Sequence, residues 1–318
     1  MWLRREPLYP GRWRCAVYGD RRGPMRPALK RGMHFAGGVF GLVGVIFVVL
    51  RLHDYGQQLN IGRFDAIAWV ILCALVLAYG AANILLARAW WHLLATLDVR
   101  PGWGWSWRTY GLSQLAKYVP GNIFHLASRQ ALGMAATLPG WALAKSALWE
   151  LGLISGAGAL FSLLAMPLLW PGVPLSLAVF VFGMASVLTG AALRRWIAPS
   201  TASAMLWQLI FLAISGLVFI GTLAVVTPEP IPFGSLPLLC GAYVSAWLAG
   251  FVTPGAPAGI GVRELVLLFL LGGRVEKADL LLAVVLARVV TVCGDLGFFC
   301  LASLMNVWIK RRKIATHR

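Results

Sequence analysis

Charged side chains are scarce in this chain. They make up 12% of its 318 residues, where a soluble domain carries about a quarter. Acidic residues are the scarcest, 11 against 28 lysines and arginines. With 59% hydrophobic residues and a mean hydropathy of +0.77, this balance excludes a soluble globular domain and points to a polytopic membrane protein. Cysteines are few and scattered. Cys73, Cys240, Cys293 and Cys300 lie in apolar runs and Cys15 in a basic leader, with no disulfide framework and no metal-ligand spacing. They read as small hydrophobes packed between helices. A Ser-His-Asp order, a His-Cys cluster, a Walker loop and a dinucleotide fingerprint are all missing. Nothing in the sequence calls for a catalytic residue, a metal or a cofactor.

What charge there is lies in blocks. The net charge is +17. Arg4, Arg5, Arg12, Arg14, Arg21, Arg22, Arg26, Lys30 and Arg31 stand in the leader, and Lys310, Arg311, Arg312 and Lys313 in the tail. No folded basic domain is present to hold a nucleic-acid groove, so nucleic acid is not expected as a partner. Cytoplasmic retention of basic loops and attraction to anionic lipid account for these blocks better. Residues 1–34 read as a disordered cytoplasmic leader, within which Met25 and Met33 are alternative starts. Residues 309–318 read as a basic cytoplasmic tail.

Long apolar runs fill the rest. A span needs roughly 20 apolar residues. Six runs qualify: 35–52, 66–87, 141–166, 173–193, 205–227 and 279–308. Trp90, Trp91, Trp103, Trp105 and Trp107 gather near Arg100 and Arg108, as an interfacial aromatic belt would. Two further stretches read as pairs of short arms broken at proline and glycine. The first pair is 108–119 and 122–135, broken at Pro120-Gly121. The second is 236–252 and 257–272, broken at Pro254-Gly255 with Pro257 just beyond.

Loop charge favours treating both pairs as re-entrant hairpins. Six full spans then leave the leader, the Arg194-Arg195 loop and the tail on the same side. The expected fold is therefore all-α, with six transmembrane helices and two re-entrant hairpins. Residues 35–166 and 173–308 would form two repeats of one order: two spans, a hairpin and a span. The offset is 134 residues from Pro120 to Pro254 and from Arg129 to Arg263. An odd number of spans per half inverts the second repeat, a transporter pattern.

The two broken stretches read Lys-Tyr-Val-Pro-Gly-Asn-Ile-Phe-His-Leu-Ala-Ser-Arg (117–129) and Thr-Pro-Gly-Ala-Pro-Ala-Gly-Ile-Gly-Val-Arg-Glu (253–264). As an ordered pair they resemble the transmembrane region of the lysylphosphatidylglycerol synthase family, also called the flippase-like domain family. The resemblance covers nearly all of 35–308. It implies a lipid-translocating membrane region in the bacterial cytoplasmic membrane. The large soluble catalytic domain of the family's synthases has no counterpart before the chain ends at Arg318. The second motif departs from the family's commoner Pro-Gly-Gly-x-Gly, and Pro257 could stiffen its turn.

The residues themselves suggest an anion site. A helix starting at Asn122 or near Pro257 would present free amides and a positive dipole end inside the membrane. Asn122 suits an N-cap and Pro257 the first helical turn. Arg129 and Arg263 lie about two turns further on and could fork onto a phosphate. Gln114 and Lys117 on the preceding arm, and His125 on the Asn122/Arg129 face, could line the same cavity. The alternative is that both arginines snorkel and merely pin the hairpins.

Intramembrane charges need partners. Glu150 is expected to pair with a motif arginine or Lys145, and Asp295 with Arg288, seven residues away on one helix face. A proton-coupling role for Glu150 or Asp295 is the alternative to a structural pair. Glu264 could orient Arg263 or face water. Glycines at 152–158 read as close helix packing.

The leading expectation is a translocator of an anionic phospholipid or a polyprenyl-phosphate-linked lipid for cell-envelope assembly. The runner-up is a non-transporting accessory subunit of a membrane glycosyltransferase or lipid-modifying enzyme. Homo-oligomerisation is left open by either.

Overall fold

The structure, a computed structural model, describes residues 64–119, 124–253 and 261–315. The leader, the expected first span at 35–52 and both breaks lie outside the described residues. Pro120, Gly121, Asn122, Pro254, Gly255 and Pro257 are therefore not placed.

The described residues are helical, with no strand among them. Helix α1 runs Ala66–Thr96. Asp65 caps it, accepting a bond from the Ala68 amide at 2.8 Å. Helix α2 is Trp103–Gln114 and tightens into a 3-10 turn, Leu115–Tyr118. Helix α3 is Phe124–Ala135. Helix α4, Gly140–Ser162, continues through short turns to Leu169. Helices α5 and α6 are Leu175–Trp196 and Pro199–Val226. Helix α7 is Leu236–Val252, preceded by the 3-10 turn Phe233–Ser235. Helix α8 is Val262–Leu271 and α9 is Lys277–Ala315.

Six of these are long and apolar enough to cross a membrane: Ala66–Thr96, Gly140–Leu169, Leu175–Trp196, Pro199–Val226, Phe233–Val252 and Lys277–Ile309. Five coincide with expected spans. The sixth, Phe233–Val252, falls where a short arm is expected. The turn Phe233–Ser235 and Pro237 in the first helical turn extend it to 20 residues. Helix α5 is apolar on all sides and buries only Ala178. Such a helix suits lipid, not water.

Helix α1 lies at the centre, packed on α6 and α9. The α1–α9 approach is backbone to backbone. A Cβ on Gly80 would sit 3.0 Å from the Gly294 carbonyl oxygen, and one on Gly294 would sit 3.0 Å from the Gly80 amide nitrogen. A side chain at either position would push α9 away. Likewise α7 presses Gly241 on the end of α4, where an added Cβ would lie 2.6 Å from that of Leu164. The glycines at 152–158 contribute less than expected. Gly152 and Gly156 face open space, and Gly158 alone of the three meets a neighbour, Leu248.

The short helices flank the breaks. Helix α2 with its turn packs on α3, and α7 packs on α8. At 1.5 Å per residue, α3 and α8 are about 18 and 15 Å long, well under the roughly 30 Å of hydrocarbon.

The tryptophan cluster divides. Trp91 donates to the Pro101 carbonyl oxygen at 2.8 Å, and Arg88 lies over the rings of Trp91 and Trp103 at 4.5 and 5.0 Å. Trp90 is not part of a belt. It is 2% exposed and donates to Ser146 Oγ at 3.2 Å. One helix position turns the ring from the outside to the core.

Candidate functional site

Helices α1, α2, α3, α4, α6, α7, α8 and α9 surround a cavity of about 160 Å³, room for roughly ten waters or a small polar head group. Three ion pairs and one arginine without a carboxylate define it.

The first pair is centred on Asp295 of α9, which is fully buried. Gly294, pressed on Gly80, brings this carboxylate against α1. Oδ1 accepts from Asn83 Nδ2 at 3.0 Å and Gln114 Nε2 at 3.2 Å. Oδ2 accepts from the Tyr118 hydroxyl and pairs with Lys117 Nζ at 2.7 Å. Gln114 also donates to Asn83 Oδ1 at 2.7 Å. One carboxylate thus ties α9 to α1 and to the end of α2.

The expected Asp295–Arg288 pair does not form. Seven residues put the two on one face but about 10 Å apart along the axis, too far for contact. Arg288 instead pairs through Nη2 with Glu264 Oε1 at 3.1 Å. Glu264 Oε2 accepts from the Gly261 amide at 2.7 Å, closing the start of α8 where Gly261 takes φ of 85°. Glu264 therefore neither orients Arg263 nor simply faces water.

The third pair is Arg129 Nη1 of α3 with Glu150 Oε2 of α4, at 2.7 Å. Of the two partners expected for Glu150, the motif arginine is the one found, and Lys145 is exposed. Glu150 Oε1 accepts from the Tyr110 hydroxyl at 3.0 Å. The Arg129 guanidinium lies over Tyr110 at 4.1 Å and Trp90 at 5.1 Å. Arg129 is 3% exposed, yet its Nε and Nη2 have no hydrogen-bond partner among the described residues. It occupies a small cleft beside the cavity, and Glu150 and Leu126 border both.

Arg263 of α8 is different. It lies over the Tyr243 ring at 5.6 Å. It is 9% exposed, its Nε has no partner, and no carboxylate among the described residues pairs with it. It faces the cavity.

Most of the expected site residues therefore come together. Gln114, Lys117, His125, Glu150 and Asp295 line the cavity, and Arg263 and Arg288 complete it. His125 Nδ1 is buried without a partner. Glu264 stands behind Arg288, and Arg129 stands behind Glu150.

The sequence reading missed the aromatic floor under the arginines. Tyr110 and Tyr243 are 133 residues apart, against 134 for Arg129 and Arg263. Each precedes its Pro-Gly pair in sequence by ten or eleven residues. Asn83 was also missed, because a lone amide in an apolar run has no pattern. Among the described residues, no group of histidine, cysteine, aspartate and glutamate could hold a metal ion.

No family model, no curated protein and no solved structure matches this chain.

Proposed function

We propose that the protein is a membrane lipid translocator whose central cavity receives an anionic, phosphate-bearing head group. Arg263 carries this reading. A nine-tenths buried guanidinium with an unpartnered Nε and no carboxylate is costly within a membrane unless an anion or water reaches it. Its planar fork suits a phosphate, and the cavity it faces is shared with polar groups from the other half of the chain.

The helix–break–helix pairs α2–α3 and α7–α8 act in this reading as re-entrant hairpins of two inverted repeats, α7 turning back at its break although, with its leading turn, its 20 residues are long enough to cross, with both termini cytoplasmic. The head group passes between the hairpins while the acyl or prenyl tails stay in the bilayer. Trp247 and Phe251, stacked at 5.0 Å on the cavity wall, give those tails an apolar edge. The flippase-like family that the two motifs resemble fits the same activity, in a bacterial cytoplasmic membrane.

The test is lipid movement in liposomes holding the purified protein, with a fluorescent anionic phospholipid and a polyprenyl-phosphate probe. Protein-dependent movement that is lost in folded Arg263→Gln supports translocation. Absence of movement for both probes favours the accessory-subunit reading, whose signature is copurification with a membrane enzyme.

A further inference from the structure

The charges around the cavity do not cancel. Among the described residues, four cations surround it, Lys117, Arg129, Arg263 and Arg288, against three carboxylates, Glu150, Glu264 and Asp295. Each carboxylate is held by one cation within 3.1 Å or less. His125 is counted neutral, since no carboxylate pairs with it. The stretches 120–123 and 254–260, which adjoin the site in sequence, contain no charged residue. Among the described residues, with those two stretches neutral, one positive charge is left over, and it sits on Arg263.

We infer that the ligand of this cavity carries a single net negative charge at its head, as a phosphate diester does, and that a diphosphate head is excluded. This rests on reading the cavity as an anionic head-group site. A phosphate diester offers two non-bridging oxygens and one charge, which matches one guanidinium fork. The occupied cavity is then neutral. A diphosphate brings at least two charges. Its second charge must either stay uncompensated in a low-dielectric site or draw Lys117 from Asp295. The latter strands a fully buried carboxylate. A zwitterionic head would carry a cation into a site already one positive charge in excess.

Binding measured in neutral detergent decides this, using two ligands with the same tail: farnesyl methyl phosphate, a diester, and farnesyl diphosphate. Short-chain phosphatidylcholine serves as the zwitterion. Wild-type protein is expected to prefer the diester over the diphosphate by at least tenfold, about 1.4 kcal/mol, and to bind the zwitterion more weakly still. Glu264→Gln raises the count to two and should shift the diester-to-diphosphate ratio about tenfold toward the diphosphate. Arg263→Gln should abolish the diester preference. Equal or tighter diphosphate binding by the wild type overturns the single-charge inference but leaves the anionic site standing. A ratio unmoved by Glu264→Gln, in protein that melts normally, also overturns it. Failure of both farnesyl ligands to bind removes the anionic-site reading and this inference together. The wild-type series alone remains decisive if either variant fails to fold.

Discussion

The two halves of the chain share a skeleton but use it differently. In each, an arginine follows a Pro-Gly break and lies over a tyrosine of the preceding arm. In the first half, the next long helix supplies a carboxylate, Glu150, and Arg129 is locked. In the second, the corresponding helix supplies a cation, Arg288, 138 residues further on, and the carboxylate Glu264 adjoins the motif arginine instead. That carboxylate is taken by Arg288 and by the Gly261 amide, so Arg263 has none among the described residues. A carboxylate at 150 and a cation at 288 leave the first arginine paired and the second without a carboxylate among the described residues. Arg129 ties α3 to α4 through Glu150, and Arg263 faces the cavity.

The contrast breaks most visibly in stability. Arg129→Ala leaves Glu150 buried at 7% exposure without its cation. Such a change costs about 3–5 kcal/mol. Melting in detergent should fall sharply, and Glu150→Ala should do the same by stranding Arg129. The Arg129→Gln/Glu150→Gln pair should recover most of the loss, because neither charge is then left over. If the double variant melts as badly as either single one, the pair is not the element that holds α3 to α4.

Asp295→Asn comes next. The shape is kept, but Lys117, Tyr118, Asn83 and Gln114 lose an ionised acceptor. Hydrogen bonds to a charged group contribute about 1.5–3 kcal/mol each. Lys117 can turn to water, its side chain being 24% exposed, so a total near 2–3 kcal/mol is expected. A smaller effect separates the two tyrosines. Tyr110→Phe removes a hydroxyl bonded to Glu150 and should cost about 1 kcal/mol. The Tyr243 hydroxyl has no partner among the described residues, so Tyr243→Phe should leave the melting temperature nearly unchanged. Equal losses at both positions would contradict the view that only the first half is locked.

Much of this was legible in the sequence because membranes impose strong rules. Long apolar runs dictated five of the six long helices, and the 134-residue offset singled out Arg129 and Arg263, each of which lies over a tyrosine. Glu150 needed a cation and a motif arginine was near in sequence, so that pair was readable. Asp295 was not. Its partner, Lys117, lies 178 positions away, and the nearer Arg288 shares its face without sharing its height. Such pairing is set by where α2 crosses α9, which Gly111 fixes by letting the backbone approach Ala302. No local pattern encodes that crossing. The sixth long helix, Phe233–Val252, is longer than the arm expected at 236–252, because prolines at 228, 230, 232 and 237 obscure its start in the sequence. Proline is tolerated in the first turn, so the helix begins earlier than its apolar run suggests.

The smallest effect on stability falls where the largest effect on function is expected. Arg263→Gln removes a guanidinium that satisfies no carboxylate, so no opposite charge is stranded. The glutamine keeps a polar tip and part of the stem over Tyr243. A cation over a tyrosine contributes about 2 kcal/mol at a desolvated site, and relief of the excess buried charge offsets most of that. The melting temperature should therefore stay close to wild type, while movement of the anionic lipid in liposomes falls at least tenfold. Arg263→Lys sharpens the point. It keeps the charge but loses the fork, and intermediate movement is expected. If Arg263→Gln instead melts as poorly as Arg129→Ala, the two halves are held in the same way, and the free arginine is not a receptor.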